Sequence, residues 1–315
     1  MVKISSNKPI FALCGPTASG KTALGVKLAQ FVGGEIINCD SVQIYKGIQI
    51  ATAKPNDEEK QGIPHHLIDY VDPNINYTAA DWAADAAAKI VEIESRGRVP
   101  VLVGGTGFYL RTLRRPLFES PKTDRELRER LRLLKELKGA EHVFRMLVRV
   151  DPAAAKALFP NDSVRVIRAL EVYFQTGRPM SEQQPNRAEP PEFASRIGLF
   201  VLDPPRVELY AKINERARQH FAGGLVDEVK QLLAAGVNET GNALGAHGYR
   251  RVCEFLRGQR DLESAIEKTQ QDVRNYAKRQ LTWFRREPDV RWLSGFGDEP
   301  RIIDEIKRLI EPAFD

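Results

Sequence analysis

Short apolar runs alternate with helix-like stretches over residues 9 to 118. Ile10-Phe11-Ala12-Leu13-Cys14, Glu35-Ile36-Ile37-Asn38-Cys39 and Val99-Pro100-Val101-Leu102-Val103 have the length and continuity of strands buried on both faces. Between them lie a helical stretch reaching about Val32 and an Ala-rich one from Tyr77 to Glu94, where Thr78 and Asp81 have capping-box spacing. This alternation predicts a parallel α/β sheet. Pro55, Pro64 and Pro73 make the stretch from Ala51 to Asn76 turn-rich. From about Glu119 to Ala194 the pattern becomes helical and charged, ending in the breaker-rich Gln183–Pro191. Ile197–Leu202 then returns to a strand pattern, so the helical segment reads as an insertion. After Arg206 the chain is helical again, with a turn at Gly223-Gly224 and a loop over Val237–Gly248.

Between the first strand and the first helix lies Gly15-Pro16-Thr17-Ala18-Ser19-Gly20-Lys21-Thr22, which fits G-x-x-x-x-G-K-[ST] at every fixed position. Loop amides and the positive helix end would cradle a polyphosphate, Lys21 would add a point charge, and Thr22 would offer a hydroxyl to Mg²⁺. The predicted fold is therefore α/β, a P-loop NTPase-like parallel sheet core with an inserted helical domain and a helical C-terminal region. Its expected divisions are a core at 1–118, completed by a strand near 196–205, an insertion at 119–195 and a C-terminal region at 206–315 packed on the core.

A nucleotide hydrolase of this class carries an acid at the end of a second apolar strand. Here Val99–Val103 runs instead into Gly104-Gly105-Thr106-Gly107. The acid stands elsewhere, as Asp40 after the Glu35–Cys39 run, where it could face the phosphate loop across the carboxyl edge of the sheet. The phosphates would then be a leaving group, with Asp40 acting on a second substrate. Asp69, after His65-His66-Leu67-Ile68, is a weaker candidate for a metal-linked acid. Adjacent histidines point opposite ways on a strand and no third ligand is evident, which favours a structural or substrate-lining role for His65 and His66.

The 315 residues are 42% hydrophobic and 28% charged, ordinary for a globular protein, and no apolar run is long enough to span a bilayer. Met1–Ser6 lacks the apolar region of a signal peptide, and a cytoplasmic location is expected. Cys14, Cys39 and Cys253 have no metal-binding spacing and read as core residues. The net charge of +5 is modest, but basic residues cluster between Arg111 and Lys135 and again from Arg274 to Arg286. On a helical wheel Ile266, Val273, Ala277 and Phe284 form an apolar stripe. Arg274, Lys278 and Arg285 lie beside it, with Tyr276, Arg279 and Trp283 on a further flank. A basic stripe beside aromatics suits nucleic-acid contact.

These residues resemble the tRNA dimethylallyltransferase (tRNA isopentenyltransferase) family, bacterial type, over almost the whole chain. The matching segments are Gly15–Thr22, Asn38–Tyr45, Thr52–Pro55, Pro64–Asp69, Val103–Tyr109, Pro160–Asp162, Arg168–Tyr173 with Thr176-Gly177, Gly248-Tyr249 and Ala277–Phe284. The resemblance implies transfer of a dimethylallyl group from dimethylallyl diphosphate to N6 of the adenosine 3′ of a tRNA anticodon, position 37. It also implies Mg²⁺ as cofactor and the tRNA anticodon stem-loop as partner; a monomer with no membrane association is expected.

By the same resemblance Gly15, Pro16, Thr17, Ala18, Ser19, Gly20, Lys21 and Thr22 bind the diphosphate, with Thr22 also on the metal. Asp40 is the first catalytic candidate and Thr106 the second, although Thr106 could instead cap the helix after the glycine turn. Expected tRNA contacts are Asp40, Ser41, Val42, Gln43, Thr106, Arg128, Val164, Arg165, Val166, Ile167, Arg168, Lys278, Arg279, Gln280, Trp283 and Arg285. The sequence departs from the family pattern at Cys39, at Ala51 where Gly is usual, and at Arg251 where an acid or amide is. No Cys/His zinc module of the eukaryotic kind follows the last helix. An adenylate isopentenyltransferase, a P-loop small-molecule kinase and a non-catalytic RNA-binding protein are the competing readings. The first would have little use for the insertion and the basic C-terminal helix.

Overall fold

A computed structural model describes residues 8–311, so the segment Met1–Ser6 lies outside the described residues. Six strands, β1 (Ile10–Cys14), β2 (Gly34–Asn38), β3 (His65–His66), β4 (Val99–Gly104), β5 (Ile197–Leu202) and β6 (Val290–Leu293), form one sheet. Their order is β3-β2-β4-β1-β5-β6, and every pairing is parallel.

Period-two alternation sends successive strand residues to opposite faces, and two cores result. Phe11, Leu13, Ile36, Val101 and Val103 pack with the helices Lys21–Val32 and Pro300–Ile310. Ile10, Ala12, Cys14, Ile37 and Leu102 pack with the helix Ala79–Ser95 and with Tyr249–Leu256. The helix Ala79–Ser95 starts at the expected capping box: the Thr78 hydroxyl accepts from the Asp81 amide, and the Asp81 carboxylate accepts from the Thr78 amide. Cys14, Cys39 and Cys253 are buried free thiols.

Boundaries moved slightly, with β2 beginning and ending one residue before the apolar run suggests. The structure adds β6, whose four residues include Arg291 and are too short to stand out in sequence. It also adds a 3-10 turn at Ile50–Thr52 and a short helix at Asp57–Lys60 inside the turn-rich stretch.

The chain divides into two compact units, one reaching Arg114 and resuming at Pro191, the other spanning Arg115–Pro190. The helices after Arg206 belong to the first. The second is built on Arg125–Lys138, Ala140–Val150 and Ser163–Thr176, around a core including Leu131, Val143, Leu147, Val166 and Leu170. Among the described residues no helix is long and apolar enough to cross a membrane.

Candidate active site

Neighbouring strand ends bring the chemistry-bearing segments together. In the pairings Asn38↔Val103 and Cys14↔Gly104, β2, β4 and β1 end in register, so Asp40, Thr106 and the phosphate loop leave the same edge. The Cys39 amide donates to the Val103 carbonyl at 2.8 Å and the Thr106 amide to the Cys39 carbonyl at 3.1 Å. Gly104 permits this approach: a Cβ there would lie 2.0 Å from the Cys39 carbonyl oxygen.

Asp40 closes a tight side-chain turn. Its Oδ1 accepts from the amides of Val42 (2.9 Å) and Gln43 (3.3 Å), while Oδ2 has no hydrogen-bond partner among the described residues. The Thr106 hydroxyl does not cap its own helix; it accepts from the Ser41 amide at 3.0 Å and donates to the Ser41 hydroxyl at 3.3 Å. Both side chains therefore order the segment carrying the acid.

A cleft of about 360 Å³ is lined by Thr17–Thr22, Asp40, Gln43, Arg216 and Gln280, and also by Thr52, Ala53, Pro55 and His65. A smaller chamber of about 150 Å³ shares Thr17, Asp40, Thr52 and Arg216 with it and is otherwise lined by Ile213, His220, His247, Val273 and Tyr276, among others. In the loop, Lys21 Nζ donates to the Pro16 carbonyl at 2.6 Å, Arg216 donates to the Thr17 hydroxyl, and the buried Ser19 hydroxyl has no hydrogen-bond partner among the described residues. Burial lowers Lys21 to about 8, opposed by the Asp40 charge and reinforced by Arg216. Burial likewise lowers Arg216, again opposed by Asp40.

Two cations, an orphan hydroxyl and a glycine loop fit a diphosphate. No cluster of three or more His, Cys, Asp or Glu able to hold a metal occurs among the described residues. Mg²⁺ needs no such cluster, since it is held through one or two protein oxygens plus substrate phosphates and water; the Thr22 hydroxyl in the cleft is a donor of that kind.

The family model described as IPP transferase matches residues 43–287. A tRNA dimethylallyltransferase of Koribacter versatilis is 45% identical over 98% of this chain and 100% of its own length. One of Geobacter sulfurreducens is 47% identical over 98% of each. The crystal structure of a tRNA isopentenylpyrophosphate transferase from Bacillus halodurans superposes with a TM-score of 0.71 at 37% identity, covering 97% of this chain and 96% of that one. A eukaryotic dimethylallyltransferase acting on tRNA gives 0.75 at 28% identity, covering 96% and 78%. The chain belongs to the IPP transferase family. Its α/β core is the P-loop NTPase-like sheet that its structural neighbours share.

The residues that the family resemblance suggested as tRNA contacts differ in their surroundings. Gln280 is only 5% exposed; its carboxamide accepts from the Thr17 amide (2.9 Å) and donates to the Gly105 carbonyl (3.0 Å). Val166 and Ile167 are buried in the core of the helical unit, because a helix that packs there must turn one side inward. Arg128 and Arg168 both pair with the fully buried Glu171, at 2.5 and 3.0 Å. Val164, Arg165, Lys278, Arg279 and Arg285 are exposed. Trp283 is half-buried, with the Arg111 guanidinium 4.0 Å from its ring centre.

On the long helix Leu262–Phe284, Ala277 and Phe284 of the expected stripe are buried, but the buried side also carries Thr269, Gln270 and Gln280. His66 pairs with Glu35 at 2.7 Å, and Asp69 pairs with Lys54 and is not among the residues lining the cleft. Arg251 is held by Glu254 and Asp272, both at 2.6 Å. Arg216 escaped sequence reasoning: it lies inside the helix Arg206–Ala222 with no local motif around it.

Proposed function

We propose that this enzyme transfers a dimethylallyl group from dimethylallyl diphosphate to the exocyclic N6 of adenosine 37, 3′ of the anticodon in tRNA, releasing diphosphate. The observation that carries the reading is Asp40: a carboxylate with one oxygen tied to its own loop and the other uncommitted, in a cleft shared with Lys21, Arg216 and the glycine loop. An adenine amine is a poor nucleophile because its lone pair is delocalised into the ring. Asp40 Oδ2 orients that amine and takes its proton as the C–N bond forms. As the allylic C–O bond breaks, charge develops on the diphosphate, and Lys21, Arg216 and the amides of Gly15–Thr22 stabilise it. The Thr22 hydroxyl would help to hold Mg²⁺, which would supply further charge neutralisation to the diphosphate. Thr106 positions the Asp40 segment.

The target adenine reaches this carboxylate by leaving the anticodon-loop stack. The helical unit Arg115–Pro190, through exposed side chains such as Arg165, and the basic face carrying Lys278, Arg279 and Arg285 bind the tRNA phosphates. In this reading the enzyme acts as a cytoplasmic monomer.

The test is transfer of labelled dimethylallyl from its diphosphate with Mg²⁺, offering unmodified tRNA and free AMP in parallel, for wild type and Asp40→Ala. Label in tRNA that the variant loses is the expected result. Label in AMP would move the activity to free-nucleotide prenylation, and label in neither would overturn the reading.

A further inference from the structure

The segment Gln49–Pro55 crosses the site as a strap. Ala51 and Thr52 line the smaller chamber, while Thr52, Ala53 and Pro55 line the larger. Its 3-10 turn is too short to hold itself. Side chains hold it instead, and two come from a distant stretch of the chain. Glu228, in the helix Leu225–Ala234, accepts from the Gln49 amide at 2.5 Å through Oε1 and from the Ile50 amide at 3.1 Å through Oε2. The Tyr249 hydroxyl donates to Glu228 Oε2 at 3.1 Å and accepts from the Ala51 amide at 3.3 Å. Three successive strap amides are thus satisfied by one carboxylate and one buried phenol.

On the opposite edge Gln43 Nε2 donates to the carbonyls of Thr52 (3.0 Å) and Ala53 (3.1 Å), and the Gln43 amide donates to Asp40 Oδ1. A continuous chain of contacts runs from Glu228 through the strap and Gln43 to the acid. An acid in the first turn of a helix ordinarily serves that helix's own N-terminus. Glu228 sits in such a turn, yet its carboxylate is committed to another segment.

We infer that Glu228, working with Tyr249, is a positioning residue that sets the strap across both chambers and so fixes donor and acceptor relative to Asp40. The inference rests on the proposed reaction. Charge-assisted bonds to amides are stronger than neutral ones, and a small displacement of a positioning element can cost two orders of magnitude in rate.

The experiment measures kcat and both KM values for transfer to tRNA, and donor affinity by calorimetry without tRNA, in wild type, Glu228→Ala, Glu228→Gln and Tyr249→Phe. Glu228→Ala is expected to raise both KM values and weaken donor binding by about tenfold or more. Glu228→Gln keeps an acceptor oxygen for the strap amides and is expected to recover to within about threefold. Simple loss of folded enzyme would lower apparent kcat and calorimetric stoichiometry while leaving KM and Kd unchanged. Should Glu228→Ala fail to fold, Tyr249→Phe carries the same expectation at about threefold. Wild-type KM and Kd in Glu228→Ala, or in Tyr249→Phe where Glu228→Ala does not fold, would overturn the inference. A wild-type enzyme that binds the donor yet labels no tRNA would overturn the proposed reaction instead.

Discussion

The amide of Thr17 donates to Oε1 of Gln280 at 2.9 Å, joining residues 263 positions apart. The other end of the same carboxamide reaches the Gly105 carbonyl, and a Cβ on Gly105 would lie 2.1 Å from that nitrogen. One buried side chain on the helix Leu262–Phe284 therefore sets the spacing between the phosphate loop and the turn that carries Thr106.

Replacing Gln280 by Leu keeps the volume and removes both partners. The buried Gly105 carbonyl is then left unsatisfied, at about 1–3 kcal/mol, and the half-buried Thr17 amide loses its partner in the loop. The expected outcome is a lower urea midpoint together with a raised KM for dimethylallyl diphosphate, the KM for tRNA staying near wild type at saturating donor. A selective rise in the tRNA KM would return Gln280 to the RNA-binding surface.

Asp40→Asn separates proton acceptance from loop architecture. Asparagine Oδ1 can still accept from the Val42 and Gln43 amides, so the turn persists. The proton acceptor is gone, and general-base losses run to ~10²–10⁴-fold. We expect kcat to fall in that range with the donor KM within about threefold of wild type, read from steady-state transfer assays. A variant with undiminished kcat would remove Asp40 from the chemistry.

Lys21 should make donor binding pH-dependent if it holds the diphosphate as proposed. Burial holds it at about 8 in the folded protein, below its ordinary 10.5. Between those values the unfolded chain binds the extra proton, so ligand-free stability rises with pH through this window and burial of the ammonium opposes folding below it. Diphosphate binding has the opposite preference, since it needs the charged form. The donor KM should be flat below pH 8 and climb above it by up to about tenfold per pH unit. Lys21→Met should raise KM and flatten the profile, a comparison made by measuring KM from pH 6.5 to 9.5.

The strands β1, β2, β4 and β5 and the phosphate loop were legible because each is a local pattern: a continuous apolar run, or glycines at fixed spacing before a helix. Asp40 was legible because it follows such a run directly. Arg216 was not, because an arginine within a helix of mixed composition looks the same whether it faces water or a cleft, and only the packing of Arg206–Ala222 beside the loop decides. Glu228 was silent for the same reason, and Tyr249 stood out only as part of the matching Gly248-Tyr249: their strap partners are backbone amides 179 and 198 residues away. The resemblance to relatives drew attention to the window Val164–Arg168 as a block, whereas a helix divides such a block by face, burying Val166 and Ile167 and leaving Val164 and Arg165 outside.

That division separates two arginines three residues apart. Arg165 has a side chain 67% exposed, with Asp162 at 3.4 Å, whereas Arg168 is held by Ser120, Pro121 and the fully buried Glu171. Arg165→Ala should leave the melting curve unchanged and weaken tRNA binding, reducing the slope of log affinity against log salt by about 0.7–0.9 for one lost phosphate contact. Arg168→Ala leaves Glu171 with Arg128 as its remaining cation, so its main cost should be stability. Removing one partner of a buried pair costs ~3–5 kcal/mol, and the surviving Arg128 contact should keep the loss at or below the lower end. Filter binding across a salt series and urea melts on the two variants read these effects separately. Equal salt slopes for Arg165→Ala and wild type would take Arg165 off the RNA surface, and an unchanged melt for Arg168→Ala would mean that its pairing with Glu171 contributes nothing to the helical unit.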